Sequence, residues 1–552
     1  MKETMSVLSA KGINFRFVVD KKYFFQLFLL SLCFVVPGFW LVEPLSGDEI
    51  RVAGISAEMV ETGNYLIPTL NGKPFLEYPP MVYWLQAISM KIFEFNSFSV
   101  RLPSVIAGVI SILLVYKLAL SLKFKREYAF LSSIFLMFDL RFLCNVRECR
   151  VDISLFCFLL LSVISLYEMI QAKNAKIGLS RILFSVIGIS GAFYSKGLLG
   201  LIFPFAVIGS FCLFQCFYEK KLNFYPFLLL LFVFIISSLI CSIWYCCLYH
   251  EKNPQLFHEA FWVNNLGRFS GGQGDHLEPF HFYLFRFPEI FLPFFVLLLG
   301  GIVLTLRDIG KCSQERLFML CYFIVPFFMF SVSAAKRLIY LLPLSVPCVL
   351  LSVDFLLHLP KKWDDFCKKI FELHPNINNL FFKLYPLILV IVFSILGCFF
   401  YHKILCFCCV GILLSFAPYF RNKFNNLSIF LNLVPVVFLL AMIVTLIGLS
   451  AEKNLRPLFE YCKTLEKQGK EIILVNPGER TRGAAFYYLR HNVKCFSLNE
   501  AIQHYEKMKS SNKKDCVFIS RVRHLDLSKD ETFEDEHKLV ENPSVFLSIT
   551  ND

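Results

Sequence analysis

Long apolar runs alternate with short polar connectors over the first 450 residues, and this pattern predicts a polytopic α-helical membrane protein. Thirteen runs are candidates for membrane-spanning helices. Their predicted bounds are residues 23–42, 100–121, 128–144, 151–171, 180–195, 197–216, 224–248, 288–306, 317–333, 337–357, 380–400, 403–420 and 427–450. No small-x-small cleavage site follows the first run, so we expect it to be retained as a helix.

The placement of lysine and arginine predicts that the N-terminus is cytoplasmic. The connectors that would then face the cytoplasm are basic: 122–127, 172–181, Lys220-Lys221, 307–316 and 358–383. This is the bias of the positive-inside rule. An odd number of spans places the C-terminus on the opposite side, together with the long connectors 43–99 and 249–287.

The outer connectors and the tail have structure of their own. Connector 43–99 contains "SAEMVETGN" and "PPMVYWLQAISMKIFEF", whose apolar residues recur at helical spacing and predict interfacial amphipathic helices. Residues 451–552 alternate strand-like "EIILVNP" and "DCVFIS" with helix-like segments. We therefore predict a transmembrane domain over residues 1–450 and a small soluble α/β domain outside the cytoplasm over residues 451–552.

Composition agrees with a membrane protein. Hydrophobic residues make up 56% of the 552, including 64 phenylalanines, and the mean hydropathy is +0.60. The formal charge of +13 comes mainly from connectors, so we do not expect a nucleic-acid partner. Most of the 20 cysteines lie in apolar runs without zinc-site spacing. A disulfide among Cys462, Cys495 and Cys516 remains open.

Ionisable and aromatic polar residues gather on the predicted outer side. They are Asp48, Glu49, Glu77, Arg147, Arg150, Asp152, Lys196, Arg268, His276, Tyr283, Lys336, Arg337 and Tyr340. Each one alone fits a helix cap or a side chain that reaches the interface. Together they predict a cavity for a charged, lipid-linked ligand, in which cations bind a phosphate and an acid acts as a base.

The first outer loop also resembles a known family. "GDEIRVAGISAEMVETGNYLIPTLNGKPFLEYPPMVYWLQAIS", followed by "RLPS", is similar to the first loop of the aminoarabinose–lipid A transferases, which are related to the protein O-mannosyltransferases. The shared residues are Asp48-Glu49, Asn71-Gly72, Glu77, Pro79-Pro80, Tyr83-Trp84-Leu85-Gln86 and Arg101-Leu102-Pro103. Further matches are Asp152, Lys196-Gly197, Arg268-Phe269, His276, Pro279-Phe280, Tyr283, Lys336 and Tyr340-Leu341-Leu342-Pro343.

The resemblance implies a GT-C fold, in which connectors 43–99 and 249–287 roof an outer cavity. It implies transfer of a sugar from undecaprenyl (polyprenyl) phosphate to an acceptor outside the cytoplasm, with 4-amino-4-deoxy-L-arabinose or a similar sugar and lipid A as the favoured pair. The implied site residues fall into three groups: Asp48, Glu49 and Asp152 as catalytic residues; Arg268, Lys196 and Lys336 at the donor phosphate; Glu77, Tyr78, His276, Tyr283 and Tyr340 in the substrate cavity.

Two departures from the family pattern affect the chemistry. Tyr78 stands where the family has a lysine near the donor phosphate, and Lys73 or Lys196 can supply that charge. Asn264-Asn265 stands where many relatives have Glu-His, so one metal ligand is missing. We assign no cofactor and leave a divalent metal as an open alternative. Transfer to a protein or another envelope glycan, and transport of a lipid-linked sugar, remain the other functions to test.

Overall fold

The computed structural model describes twelve stretches of the chain. They are residues 21–36, 39–40, 48–172, 178–221, 223–251, 253–267, 277–291, 294–307, 313–358, 455–511, 516–520 and 546–549. The chain divides into two compact units. The first comprises Met1–Leu41 and Ser104–Thr445, and the second comprises Val42–Pro103 and Leu446–Asp552. The first outer loop thus groups with the C-terminal residues, a pairing that the sequence did not predict.

Ten of the thirteen predicted apolar segments lie on helices of the described residues. In chain order the helices on these segments are α1 (Lys21–Val35), α4 (Ser97–Ser121), α5 (Arg126–Met137), α6 (Leu140–Val146), α7 (Val151–Ile170), α8 (Leu179–Lys196), α9 (Leu198–Glu219), α10 (Tyr225–His250), α13 (Phe295–Arg307), α14 (Gln314–Val332) and α15 (Ser345–Leu357). A 3₁₀ helix, Leu338–Leu344, precedes α15. Segments 380–400, 403–420 and 427–450 lie outside the described residues.

Shorter elements connect these helices. They are α11 (Pro254–His258), a π-helix (Glu259–Gly267) and α12 (Phe282–Ile290). Of the helices that the structure describes, six are long and apolar enough to cross a bilayer. The chain is therefore a multi-pass membrane protein.

Small residues allow helices α7, α8 and α9 to pack closely. A Cβ on Gly188 of α8 would lie 2.6 Å from the Ser162 backbone nitrogen in α7. A Cβ on Gly200 of α9 would lie 2.2 Å from the Ala192 carbonyl carbon in α8. Small residues of this kind bring transmembrane helices into backbone contact. The tight packing of α7 on α8 fixes the ends of both helices, where two of the predicted site residues lie.

The part of the second unit that comes from the first outer loop, Val42–Pro103, is called the loop part and contains two helices and a hairpin. Helices α2 (Asp48–Thr62) and α3 (Met81–Phe93) lie where the apolar spacing predicted helices, and strands β1 (Thr69–Leu70) and β2 (Lys73–Pro74) pair between them. Asn71 and Gly72 have φ values of 55° and 77°, which a two-residue type I′ turn requires. The buried Glu58 carboxylate accepts hydrogen bonds from both of their backbone N–H groups, at 2.7 and 2.8 Å.

The remainder of the second unit, Leu446–Asp552, is called the C-terminal part, and its described residues alternate helices and strands. The elements are α16 (Arg456–Lys467), β3 (Glu471–Val475), α17 (Glu479–Leu489), β4 (Lys494–Phe496), α18 (Leu498–Ser511), β5 (Cys516–Ser520) and β6 (Phe546–Ile549). The sheet order is β4-β3-β5-β6, in which β3 is parallel to β4 and β5 while β6 is antiparallel to β5. Its core includes Ile473, Val475 and Phe518.

Side-chain hydrogen bonds and a close helix contact join the loop part to the C-terminal part within this unit. The Asn71 side chain donates to the Val493 carbonyl (2.7 Å) and accepts from the Val493 N–H (2.8 Å). A Cβ on Gly54 of α2 would lie 2.5 Å from the Gly483 carbonyl oxygen in α17. Only glycine at both positions permits so close an approach of two helices. The hairpin turn therefore contacts Val493, and helix α2 packs directly against helix α17.

We expect Asn71→Gly to destabilise the second unit by about 1–3 kcal/mol, because it removes the hydrogen bonds that the Asn71 side chain makes with the Val493 N–H and carbonyl groups. Glycine tolerates the positive φ, so the effect isolates the side-chain hydrogen bonds from backbone strain. Limited proteolysis of the purified full chain measures the loss as faster cleavage at the C-terminal part. Equal cleavage rates for Asn71→Gly and the unaltered chain would contradict this account.

Candidate functional site

Asp48 is the first residue of helix α2. Carboxylates in the first turn of a helix interact favourably with the helix dipole. Its Oδ1 atom lies 3.4 Å from Nη2 of Arg480, in the first turn of α17. The Asp48 side chain keeps 20% of its surface exposed. It is thus an accessible acid that faces a cation.

Glu49 differs from its neighbour because it is buried. Its two oxygens accept hydrogen bonds from Arg101 Nε at 2.6 Å and Nη2 at 2.8 Å. Arg101 is 1% exposed, so the pair is a buried bidentate ion pair. This geometry anchors α2 to the start of α4. The arrangement favours a structural role for Glu49, and its predicted catalytic role remains a prediction.

Arg51 connects the first loop with the C-terminal helix α17. Its Nη1 lies 3.1 Å from Glu77 Oε2 and 2.6 Å from Glu479 Oε2. Burial disfavours the charged guanidinium, but the neighbouring charges of Glu77, Tyr78 and Asp48 raise the pKa of Arg51 above its ordinary value. Arg51 therefore stays cationic, and three predicted site residues, Glu77, Tyr78 and Asp48, interact with its charge.

In the first unit, Asp152 and Lys196 form an ion pair. Asp152 lies in the first turn of α7 and Lys196 is the last residue of α8, so both charges are favourably placed for the helix dipoles. The ammonium group donates to Asp152 Oδ1 and lies 4.4 Å from the centre of the Tyr340 ring. Lysine next to an aromatic face is a cation–π contact. Three predicted site residues are thus brought together.

The turn after Lys196 is held by Asn265. Gly197 has a φ of 72°, and the next residue, Leu198, donates its N–H to Asn265 Oδ1 at 3.1 Å. The Asn265 amide donates in turn to the Tyr245 hydroxyl (3.0 Å) and the Ala260 carbonyl (2.7 Å). An amide whose groups are engaged in this way is a poor replacement for an imidazole metal ligand. The residues present at this position do not fit a metal.

Lys336 and Tyr283 lie together at the loop before the Leu338–Leu344 helix. Lys336 Nζ donates to the carbonyl oxygens of Glu278 (2.7 Å) and Ser333 (2.5 Å). Burial lowers the pKa of Lys336, and the charge of Glu278 opposes this only in part. The Tyr283 hydroxyl donates to the Arg337 carbonyl at 3.0 Å and accepts from its N–H at 3.2 Å. Both side chains therefore support this loop.

Two predicted residues, Arg268 and His276, lie outside the described residues. Three residues near the predicted acids were not chosen from the sequence: Arg51, which pairs with Glu77; Arg480, which pairs with Asp48; and Glu479, which pairs with Arg51. Arg51 carried a signal, because it lies three residues after Asp48 and shares its face of a helix. Glu479 and Arg480 lie more than 400 positions from their partners, and no local pattern reports such a pairing.

Comparisons with known proteins place this arrangement in context. A family model described as dolichyl-phosphate-mannose-protein mannosyltransferase matches residues 77–244. The undecaprenyl phosphate-alpha-4-amino-4-deoxy-L-arabinose arabinosyl transferase 2 of Proteus mirabilis is 31% identical over 332 residues, which cover 59% of this chain and 58% of that protein. The corresponding transferase of Aeromonas hydrophila is 30% identical over 64% of this chain and 62% of its own length.

Solved structures share the fold. The crystal structure of ArnT from Cupriavidus metallidurans bound to undecaprenyl phosphate has a TM-score of 0.61 at 15% identity, covering 91% of this chain and 93% of that one. The same protein in the apo state has a TM-score of 0.64 at 16% identity, covering 90% and 91%.

These findings confirm the resemblance inferred from the first loop. The chain is similar to the aminoarabinose–lipid A transferase-like glycosyltransferases of GT-C type, and it has the fold of a solved ArnT. It matches about three fifths of the length of the curated relatives.

Proposed function

We propose that this chain is a membrane glycosyltransferase. It moves a sugar from undecaprenyl phosphate, or a similar polyprenyl phosphate, to an acceptor outside the cytoplasm. The favoured sugar is 4-amino-4-deoxy-L-arabinose or a close analogue, and the favoured acceptor is lipid A. The printed names of the relatives support the polyprenyl phosphate donor and the sugar. The choice of lipid A rests on the resemblance of the first loop to the aminoarabinose–lipid A transferases. No nucleotide sugar enters this reaction.

The observation that carries the proposal is the arrangement around Asp48. In the loop that resembles the transferases, one accessible acid begins a helix and faces Arg480, while its neighbour Glu49 is sequestered by Arg101. An acid with this exposure can receive a proton from an acceptor or orient it. We therefore assign the catalytic role to Asp48 rather than to Glu49.

The reaction forms a bond between the acceptor oxygen and the anomeric carbon of the sugar. The bond from that carbon to the donor phosphate oxygen breaks, and the polyprenyl phosphate leaves with the electron pair. A proton from a hydroxyl acceptor passes to Asp48, whereas an ionised phosphate acceptor carries no proton for Asp48 to take. Lys196, Arg268 and Lys336 bind the donor phosphate and stabilise its growing charge. Asp152 positions Lys196 through their ion pair.

The remaining predicted residues contribute to the substrate cavity: Glu77, Tyr78, His276, Tyr283 and Tyr340. Tyr340 has support from its contact with Lys196. The lysine that the family carries at position 78 is absent, and Arg51 and Arg480 provide positive charge near Tyr78 and Asp48 in its place. We therefore propose that Arg51 and Arg480 take over the charge of the missing lysine.

Lys196→Met is expected to lower kcat by about 10²–10³-fold, because one donor to the developing phosphate charge is removed. The loss also leaves Asp152 unpaired, which destabilises the fold. The double variant Lys196→Met with Asp152→Asn is therefore the control: it restores the melting temperature and keeps the kcat defect. If the double variant recovers turnover, Lys196 has only a structural role.

The topology is also a proposal. We place the chain in the bacterial inner membrane with thirteen spans, the N-terminus in the cytoplasm, and the active site and residues 451–552 in the periplasm. The basic connectors support this orientation. Labelling of single introduced cysteines in a cysteine-free background, with a reagent that does not cross the membrane, tests each connector in intact spheroplasts.

Reconstitution tests the function itself. The purified chain is mixed with undecaprenyl phosphate-linked aminoarabinose and, in separate reactions, with lipid A, an envelope polysaccharide or acceptor peptides. We expect sugar transfer to lipid A that requires Asp48. Transfer to another acceptor would correct the acceptor only. Movement of the intact donor across vesicle membranes without transfer would establish the transporter alternative.

A further inference from the structure

Three chemically reactive side chains meet in the C-terminal part of the second unit, away from the residues assigned above. Glu471 is the first residue of β3 and Cys516 is the first residue of β5. The two strands are parallel neighbours, and these residues are direct register partners. Direct partners on paired strands project to the same face. His504 reaches that face from helix α18.

The donor atoms lie close to the separations that a metal ion requires. Cys516 Sγ is 3.6 Å from Glu471 Oε2 and 4.0 Å from His504 Nε2, and all three atoms lie within 4.8 Å of one another. Zinc bonds of about 2.0–2.3 Å place neighbouring tetrahedral ligands about 3.3–3.8 Å apart. Side-chain movements of less than about 1 Å would complete the triad.

Neighbouring residues restrict the side-chain orientation of two of the three candidate ligands, Glu471 and His504. Lys494 Nζ lies 2.5 Å from Glu471 Oε1, the oxygen that does not face the cysteine. This contact orients the carboxylate, as an outer partner of a metal ligand does. The His504 ring packs between Phe496 (5.3 Å) and Phe518 (6.4 Å), which restricts its rotation.

We propose that Glu471, His504 and Cys516 form a zinc-binding site, with a water molecule as the fourth ligand. A thiolate, an imidazole and a carboxylate form a ligand set that suits Zn²⁺ and disfavours Mg²⁺ or Ca²⁺. Cys516 is buried while Glu471 and His504 are partly exposed, so the fourth position opens toward solvent. The ion would tie β3, β5 and α18 together. This proposal does not depend on the glycosyl-transfer reaction.

The test uses the full chain, purified in detergent, stripped with a chelator and then loaded with Zn²⁺ or Co²⁺. We expect about one equivalent of tightly held Zn²⁺ per chain and, with Co²⁺, a thiolate charge-transfer absorption. Cys516→Ala and His504→Ala should lose both signals. Cys462→Ala is the matched control, because Cys462 is a buried thiol of the same region outside the cluster, and it should keep both signals.

A melting-temperature measurement guards against misfolded variants. Zn²⁺ should raise the melting temperature of the unaltered chain and of Cys462→Ala, but leave that of Cys516→Ala and His504→Ala unchanged. The proposal is overturned if the unaltered chain holds no more zinc than Cys516→Ala. It is equally overturned if Cys462→Ala loses the metal to the same extent.

Discussion

Asp48→Asn is expected to lower the rate of sugar transfer by about 10²–10⁴-fold, the range that a positioned acid or base contributes. The amide is nearly isosteric and keeps a contact with Arg480, so the fold should be retained. It cannot accept a proton from a hydroxyl acceptor, and it loses the negative charge that faces Arg480. Turnover of reconstituted protein at saturating donor measures the effect.

The matched control for this variant is Glu61→Gln. Glu61 is an exposed acid near the end of the same helix, so its substitution changes the charge of α2 equally without touching the assigned site. We expect Glu61→Gln to retain the full rate. If Asp48→Asn also retained it, Asp48 would be only a helix-capping residue and the proposed mechanism would fail.

Arg101→Met should produce the largest loss of stability, about 3–5 kcal/mol, because it leaves the buried Glu49 carboxylate without its bidentate partner. The melting temperature of the detergent-solubilised chain should fall. The double variant Arg101→Met with Glu49→Leu should recover most of the loss, since apolar residues can replace a buried ion pair at little cost. A double variant as unstable as Arg101→Met alone would show that the pair has another function.

Among the described residues, sequence periodicity located most of the apolar helices, because membrane spans and amphipathic helices are local features. Ser97–Ser121 and Tyr225–His250 lie within a few residues of the predicted runs. Segment 128–144 was predicted as one helix, but it breaks where Asp139 caps a second helix and accepts a hydrogen bond from the Phe142 N–H. A capping aspartate inside an apolar run was the available signal.

The candidate site was only partly predictable, since its residues were visible but their partners were not. Asp48 and Glu49 are adjacent and look alike in the sequence, yet Glu49 is buried against Arg101 while Asp48 is partly exposed. The zinc ligands come from a strand start, a helix and another strand start, at spacings that match no local zinc motif. Such pairings depend on how distant segments pack, which hydrophobic patterning does not encode.

Mass spectrometry of lipid A tests the central claim most directly. Cells carrying the unaltered chain are compared with cells carrying Asp48→Asn at equal expression, and other envelope glycans are measured in parallel. We expect one sugar mass on lipid A that disappears in the variant. If lipid A and every other glycan are identical in the two strains, Asp48-dependent glycosyl transfer by this chain is contradicted.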